Sequence, residues 1–519
     1  MMKNSKLIII ALLGIFTISC NDEFLDLKPL ESISSENIFK DPALAELYLN
    51  EVYQGIPDGF NRGWYMLSAA SDDGENAYGW AASNSMFNTA SITPANSPYN
   101  GLWGNSYTQI RRVNEFILNY ADLVGNDGEV NRLKGEVHFL RAFYYAELLK
   151  HFGGVPIIKV PQSLEGDELL VSRNTRAETT DFIVSELDAA ITFFAGATNT
   201  GSSRGSLMSS YALKGRVLLY EGNYSESAIA SRKALDIKSA LDSNYGNIFL
   251  SDGTDEVIFD KQFQDPDKTH YGNVFNIPKS TRIPSGWGGT NPTQNLVDEY
   301  EMNTGKMITD PASGYDATAP YVGRDKRFYE SILYDGAEAY GVTIETRPGG
   351  AEHIDTGGDW TKTGYSLKKL IQQDPARLWG GTQHWVYMRV AEVHLNYAEA
   401  LIESGSNLGA AKASIDAVRQ RSEMPVITIG NQTEMRTKVR HERRIELAFE
   451  EHRFWDVRRW RIAGNPEVLN IYRMDMDTNG NFLGKKIWET RTWLDSHYLM
   501  PIPQSEMDKN KNLTQNAGY

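Results

Sequence analysis

The stretch SLMSSYALKGRVLLYEGNYSESAIASRKAL (206–235) constrains the fold of this chain more than any other. Leu213, Val217 and Tyr220, spaced by four and three, share one face of a helix. The turn Glu221-Gly222-Asn223 separates it from a second helix. Small residues Ala212, Gly215 and Ala228 let the two helices approach closely. A second pair, VYMRVAEVHLNYAEALIESGSNLGAAKASIDAVRQR, carries Val390, Val393, Tyr397 and Leu401 on one stripe.

Each pair resembles a tetratricopeptide repeat, whose period is about 34 residues. The units are irregular, so the expected fold is mainly α, a scaffold of such pairs rather than a uniform solenoid. Other helices follow from periodicity. Asp41-Pro42 caps DPALAELYLNEVYQGI, and EVNRLKGEVHFLRAFYYAELLKHF and RAETTDFIVSELDAAITFF continue the scaffold. Periodicity fails over 57–101 and over 244–384, both rich in Gly, Pro, Asp and aromatics. Irregular segments this long inside a compact domain are usually functional, and loops carry binding residues disproportionately. The expected organisation is a leader at 1–19, a tether at 20–40 and a helical scaffold at 41–243 with the inserted loop 57–101. A ligand-binding loop region at 244–384 and a C-terminal helical scaffold at 385–519 complete it.

Cys20 is the only cysteine in 519 residues. It closes an apolar run, LIIIALLGIFTIS (7–19), preceded by Lys3 and Lys6. A membrane-spanning helix needs roughly 20 apolar residues, so the run is too short to span and reads as an export signal. Ser19-Cys20 resembles a bacterial lipobox, with Thr17 where an aliphatic residue is commoner. Acylation of the cysteine sulfur explains why an exported chain would keep one thiol, which is otherwise a reactive liability. The formal charge is −15, and an acidic body is repelled by nucleic acid and anionic lipid.

Catalytic patterns are weak. His441-Glu442 would open a zinc-binding HExxH helix, but Ile445 replaces the second histidine. No GxSxG or GxxxxGK[ST] is present. Among the acids, Asp72-Asp73-x-Glu75 is the most suggestive of a hydrolytic pair, and a solvated loop or cap role fits it better. The dense stretch VRHERRIELAFEEHRFWDVRRW (439–460) reads as one helix. Its repulsive Glu442, Glu446 and Glu450 row is relieved by Arg443, Arg453 and Asp456 or by interior pairing with other elements. It reads as a structural ion-pair network.

Aromatics carry the functional signal. Trp64, Tyr65, Tyr78 and Trp80 fall in the first polar loop, and Trp287 falls in Ser-Gly-Trp-Gly-Gly. Rings flanked by Gly, Ser and Asn are poorly placed for a core. Sugar rings present C–H faces that stack on exposed aromatic rings while Asn, Asp and Arg bond their hydroxyls.

Five collinear motifs resemble the SusD/RagB family, the surface glycan-binding lipoproteins of Bacteroidetes. They are CNDEFLDLKP, KGEVHFLRAFYYAELLKHFGGVPII, YMRVAEVHLNYAEAL, RRIELAFEEHRFWDVRRW and YLMPIPQSEMDKNKNLTQNAGY. Glu451 departs from the pattern, where the family commonly has Gly. The resemblance implies a lipid anchor on Cys20, surface export directed by Asn21-Asp22-Glu23, and capping of a SusC-type TonB-dependent outer-membrane transporter. It also implies oligosaccharide or polysaccharide binding without covalent chemistry, and no nucleic-acid partner. Trp80 and Trp287 are then the stacking platforms, supported by Tyr78, Trp64, Asp73 and Asn84. Peptide capture in the manner of RagB is the alternative, and a glycoside hydrolase a remote one. Some members bind calcium near the central loops. Asp265-x-Asp267 offers a ligand pair there, although it reads first as a plain turn; no other cofactor is expected.

Overall fold

The computed structural model describes residues 38–60, 66–78, 86–163, 169–197, 201–250, 254–281, 286–353 and 360–519. The leader, tether and Cys20 lie outside the described residues. Ten longer helices form the scaffold: α1 (Pro42–Gln54), α2 (Asn100–Asn119), α3 (Asp127–Phe152), α4 (Arg176–Phe194), α5 (Leu207–Tyr220), α6 (Tyr224–Ile237), α7 (Val390–Glu403), α8 (Leu408–Arg421), α9 (Gln432–Glu446) and α10 (His452–Arg459). The fold is mainly α, as the periodicity predicts. The Asp41 side chain accepts from the Ala43 amide at 2.8 Å with Pro42 in the first turn, the expected cap. Thr175 and Glu178 form a capping box on α4.

Sequential helices pack against one another from α2 to α8. The α5–α6 contact is as close as the small residues imply. A Cβ on Gly215 would lie 2.5 Å from Ser231 Oγ, and Ser227 Oγ donates to the Gly215 carbonyl at 2.7 Å. Leu213, Val217, Val390, Val393 and Leu401 are buried. α6 packs directly on α7, so the helical stack continues across the whole intervening excursion. Strands Val257–Lys261 and Trp385–Arg389 pair antiparallel at the base of that excursion, with Val257 opposite Arg389 and Lys261 opposite Trp385.

The excursion has little regular structure but its own core. Ile248, Phe249, Ile277, Leu296, Tyr300, Phe328, Tyr365 and Leu367 are all fully buried. Its other strands form short two-stranded pairs. The C-terminal part, expected to be helical, also contains an antiparallel hairpin, Asn470–Met476 with Phe482–Thr490.

The 439–460 stretch is two helices rather than one. α9 ends at Glu446, and the connecting turn holds Phe449 at φ +63° and Glu451 at φ +68°. Glu450 therefore lies beyond the helical face that Glu442 and Glu446 share. The partners of the acidic row are mostly distant in sequence. Glu446 accepts from Arg327 and Arg389 at 2.9 and 2.6 Å and also from Arg421. Glu442 takes Arg327 and Arg419, and Glu450 takes Arg389 and Lys369, each at 2.7 Å. Arg453 leaves this group and pairs with Asp72. Burial penalises the Glu446 charge, but Arg421, Arg389 and Arg327 overcome it and hold the carboxyl well below its ordinary range.

The left-handed backbone at Glu451 gives the family's glycine its reason, since a side chain there costs about 1–2 kcal/mol. Glu451→Gly is expected to keep or raise stability by up to about 1 kcal/mol, whereas Glu451→Val lowers it by about 2 kcal/mol. Chemical denaturation of the two variants checks this; equal midpoints would refute it.

Candidate ligand-binding face

The Gly-rich segment around Trp287 runs against the short helix Gly272–Asn276. Trp287 N donates to Val274 O at 2.9 Å, Gly288 N to Ile277 O at 2.8 Å and Gly289 N to Phe275 O at 2.6 Å. A Cβ on Gly286 would lie 2.6 Å from Pro278 O, so only glycine fits this close passage. Next to it, strand Gly74–Asn76 pairs with Thr290–Pro292, tying the first polar loop to the central region.

These contacts leave Trp287 half-buried, with its ring 5.7 Å from Phe275 and edge-on to Trp379 at 6.4 Å and 88°. Trp379 is 51% exposed and Tyr271 50% exposed, and their rings meet edge-on at 6.4 Å. Tyr271 also touches Phe275 at 5.8 Å. The result is a continuous aromatic surface of Tyr271, Trp379 and Trp287 over a Phe275 floor. Its mounts are rigid. Val274 N donates to Leu378 O, and His270 and Gly381 exchange backbone bonds at 3.0 and 2.9 Å. The His270 ring stacks on Phe60 at 4.0 Å, and burial lowers its pKa to about 4, so it remains neutral at pH 7.

Of the residues expected to bind, Trp287 takes its place on this face. Trp64, Trp80 and Asn84, with Tyr65, lie outside the described residues. Tyr78 and Asp73 are corrections. Tyr78 is 2% exposed; its hydroxyl donates to Phe275 O at 2.7 Å, and its ring supports Trp287 edge-on at 6.1 Å. It is part of the floor. Asp73 is fully buried and receives Arg444 Nε at 2.8 Å, so it is spent on an internal ion pair. Trp379 and Tyr271 were missed, although Arg-Leu-Trp-Gly-Gly carries the same glycine flank that marks Trp287.

The Asp72-Asp73-x-Glu75 cluster is neither a solvated loop nor a hydrolytic pair. Asp72 binds Arg444 and Arg453 at 2.9 and 2.7 Å, and Glu75 binds Arg491 at 2.9 Å. Burial opposes the Asp72 charge, yet Arg444 and Arg453 outweigh it and bring the carboxyl to about 2. Burial, reinforced by the Asp72 charge, raises Asp73 to about 6, and burial raises Glu75 to about 7. Unfolded carboxyls titrate near 4. The folded chain therefore keeps protons on Asp73 and Glu75 that the unfolded chain loses, and their contribution to stability falls as pH rises from about 4 to about 7. The wild type is expected to lose more of its thermal midpoint between pH 5 and 7.5 than an Asp73→Asn, Glu75→Gln double variant. Parallel pH profiles for the two proteins would disprove the assignment.

Asp265-x-Asp267 forms a tight turn, with reciprocal Gln264 and Lys268 backbone bonds at 2.7 and 2.8 Å. The Asp265 carboxylate faces Arg377 at 2.7 Å. Calcium needs six to eight oxygen ligands, and among the described residues no group of three or more His, Cys, Asp or Glu is placed to hold a metal. This donor set does not fit calcium.

A stack of helix pairs that emits a loop-built aromatic face defines a helical-repeat binding scaffold. The SusD family profile matches residues 255–519, and a second, described as starch-binding associating with outer membrane, matches residues 23–219. The chain belongs to the SusD family. A SusD-like protein of Bacteroides fragilis is 30% identical with a TM-score of 0.84, covering 95% of this chain and 100% of that one. A SusD-like carbohydrate binding protein of the same species gives 26% and 0.81, covering 92% and 100%. SusD-like protein P2 of Formosa agariphila is 23% identical over 547 residues, with full coverage of both chains.

Proposed function

We propose that this protein is a non-catalytic glycan-binding subunit of the cell surface. It captures an oligosaccharide or polysaccharide on the Tyr271–Trp379–Trp287 face and delivers it to a SusC-type TonB-dependent transporter in the outer membrane. Cys20 carries the lipid anchor. The observation that carries the reading is the exposure of Trp379 and Tyr271, contiguous with Trp287, on a rigid backbone mount. Contiguous exposed apolar patches commonly mark ligand-binding or partner sites, whereas single exposed rings need no explanation. The printed descriptions of the family profiles and of the carbohydrate-binding relative support the same reading. The described part of the face is built of ring surface, and in this reading the ligand leaves chemically unchanged.

A glycan array followed by isothermal titration tests the proposal. At least one neutral glycan is expected to bind with an affinity that falls when Trp379 is replaced by Ala, and no new reducing ends accumulate. Saturable binding of a casein digest in place of every glycan would transfer the face to peptides and overturn the glycan reading.

A further inference from the structure

A cavity of about 630 Å³ opens between α3, α5, α10 and the C-terminal tail. It shares no lining residue with the aromatic face. Arg458 lines it and is 7% exposed. Its Nε donates to His497 O at 3.2 Å and its Nη1 to Phe454 O at 2.8 Å. The guanidinium lies 3.4 Å over the Phe454 ring and 5.2 Å from that of Trp493.

Its Nη2 has no hydrogen-bond partner among the described residues, and no described carboxylate lies within ion-pair distance. Two partly buried arginines of this wall are neutralised: Arg216 by Glu392, and Arg459 by Glu399 and Asp456. Burial without a counter-charge lowers the Arg458 pKa to about 9. A buried charge is normally paired, because desolvating it alone is costly. Among the described residues Arg458 thus has no counter-charge, and its Nη2 has two N–H groups to hold one.

The wall offers one buried charge to an anion. Glu147, Glu221 and Glu450 also line the cavity, but each is already paired, with Lys150, Arg176 and Arg389, so the single guanidinium of Arg458 matches one negative charge better than the two of phosphate or sulfate. Trp455 and Tyr498 also line the cavity, with Lys150 5.0 Å over the first ring and Arg461 4.0 Å over the second.

We infer that this cavity binds a small, singly charged carboxylate, with Arg458 Nη2 as its anchor. That chemistry is shared by a sugar acid and by the C-terminus of a peptide. The test titrates the full chain calorimetrically with glucuronate and with N-acetylleucine, using glucose and N-acetylleucinamide as neutral controls and inorganic sulfate as the dianion. One or both acids are expected to saturate while the neutral controls and sulfate do not. Tighter glucuronate binding assigns the cavity to sugar acids and tighter N-acetylleucine binding to chain ends; either supports the site. Arg458→Gln should weaken the acid at least tenfold, the loss of a charge-assisted bond.

Should that variant fold poorly, Ala517→Trp carries the test. Ala517 is exposed on the tail and lines the mouth, so tryptophan there blocks entry without disturbing the core. Acid binding should persist in a Trp287→Ala, Trp379→Ala protein, which separates this site from the aromatic face. No saturation by either acid, equal binding of acid and amide, or unchanged affinity in folded Arg458→Gln or Ala517→Trp would overturn the inference.

Discussion

Replacing Arg389 with Ala lowers the unfolding free energy by about 3–5 kcal/mol, the usual cost of breaking a buried ion pair from one side. Arg389 is 1% exposed and serves three acids at once. Its Nη1 reaches Glu256 at 2.7 Å and Glu446 at 2.6 Å, and its Nε and Nη2 both reach Glu450 at 2.7 Å. Nη2 also donates to the Glu446 carbonyl at 2.8 Å. Removing the guanidinium leaves Glu446 with Arg327 and Arg421, but leaves Glu450 with Lys369 alone. Burial lowers the Lys369 pKa to about 8 despite Glu450, which makes it a poor sole counter-ion. Arg389 also ends the strand that closes the base of the excursion, so the loop region should loosen with it. Arg389→Lys should recover only part of the loss, because an ammonium cannot fork among three carboxylates. Urea unfolding of the three proteins decides the matter; a cost under about 1 kcal/mol for Arg389→Ala would show that neighbouring cations compensate.

The second large effect falls on binding. A Trp287→Ala, Trp379→Ala protein should bind its glycan at least 30-fold more weakly, about 2 kcal/mol. Ring contacts of this kind are worth about 0.5–1.5 kcal/mol each beyond the area they cover, and exposed aromatic anchors commonly dominate recognition. Trp379 is half in water, so its truncation opens no deep cavity; Trp287 is partly buried on the Tyr78 and Phe275 rings, so the single Trp379→Ala change separates binding from stability. Tyr78→Phe provides the contrast. It removes only the hydroxyl that donates to Phe275 O, and should cost stability of about 1 kcal/mol with little direct effect on affinity. Equal affinities for wild type and the double variant in titration would place the ligand elsewhere.

The helices were legible because their signal is local. Leu213, Val217 and Gly215 announce both a buried stripe and a close partner within thirty residues. The partial exposure of Trp287 was legible for a similar reason, through its glycine flanks. The errors arose where meaning depends on distant partners. Asp73 looked solvated among Ser, Asp and Gly, yet its counter-ion is Arg444, 371 positions away. Tyr78 looked exposed for the same reason, and its roof is Trp287. The acidic row Glu442, Glu446 and Glu450 looked self-repelling, but Arg327, Arg389 and Arg421 reach it from three other segments. Trp379 could have been found by the flank rule applied to Trp287.

The two-stranded stem at 257–261 and 385–389 has an evolutionary consequence. The chain departs and returns through paired neighbours while α6 already rests on α7, and beyond the stem the excursion is fastened to the repeats through Arg327 and Lys369, which pair with Glu446 and Glu450. Its exposed loops can drift in length and chemistry as long as those two cations stay. A graft of residues 262–384 between two such proteins should carry ligand preference with it and leave the recipient's helices undisturbed only where Arg327 and Lys369 are kept.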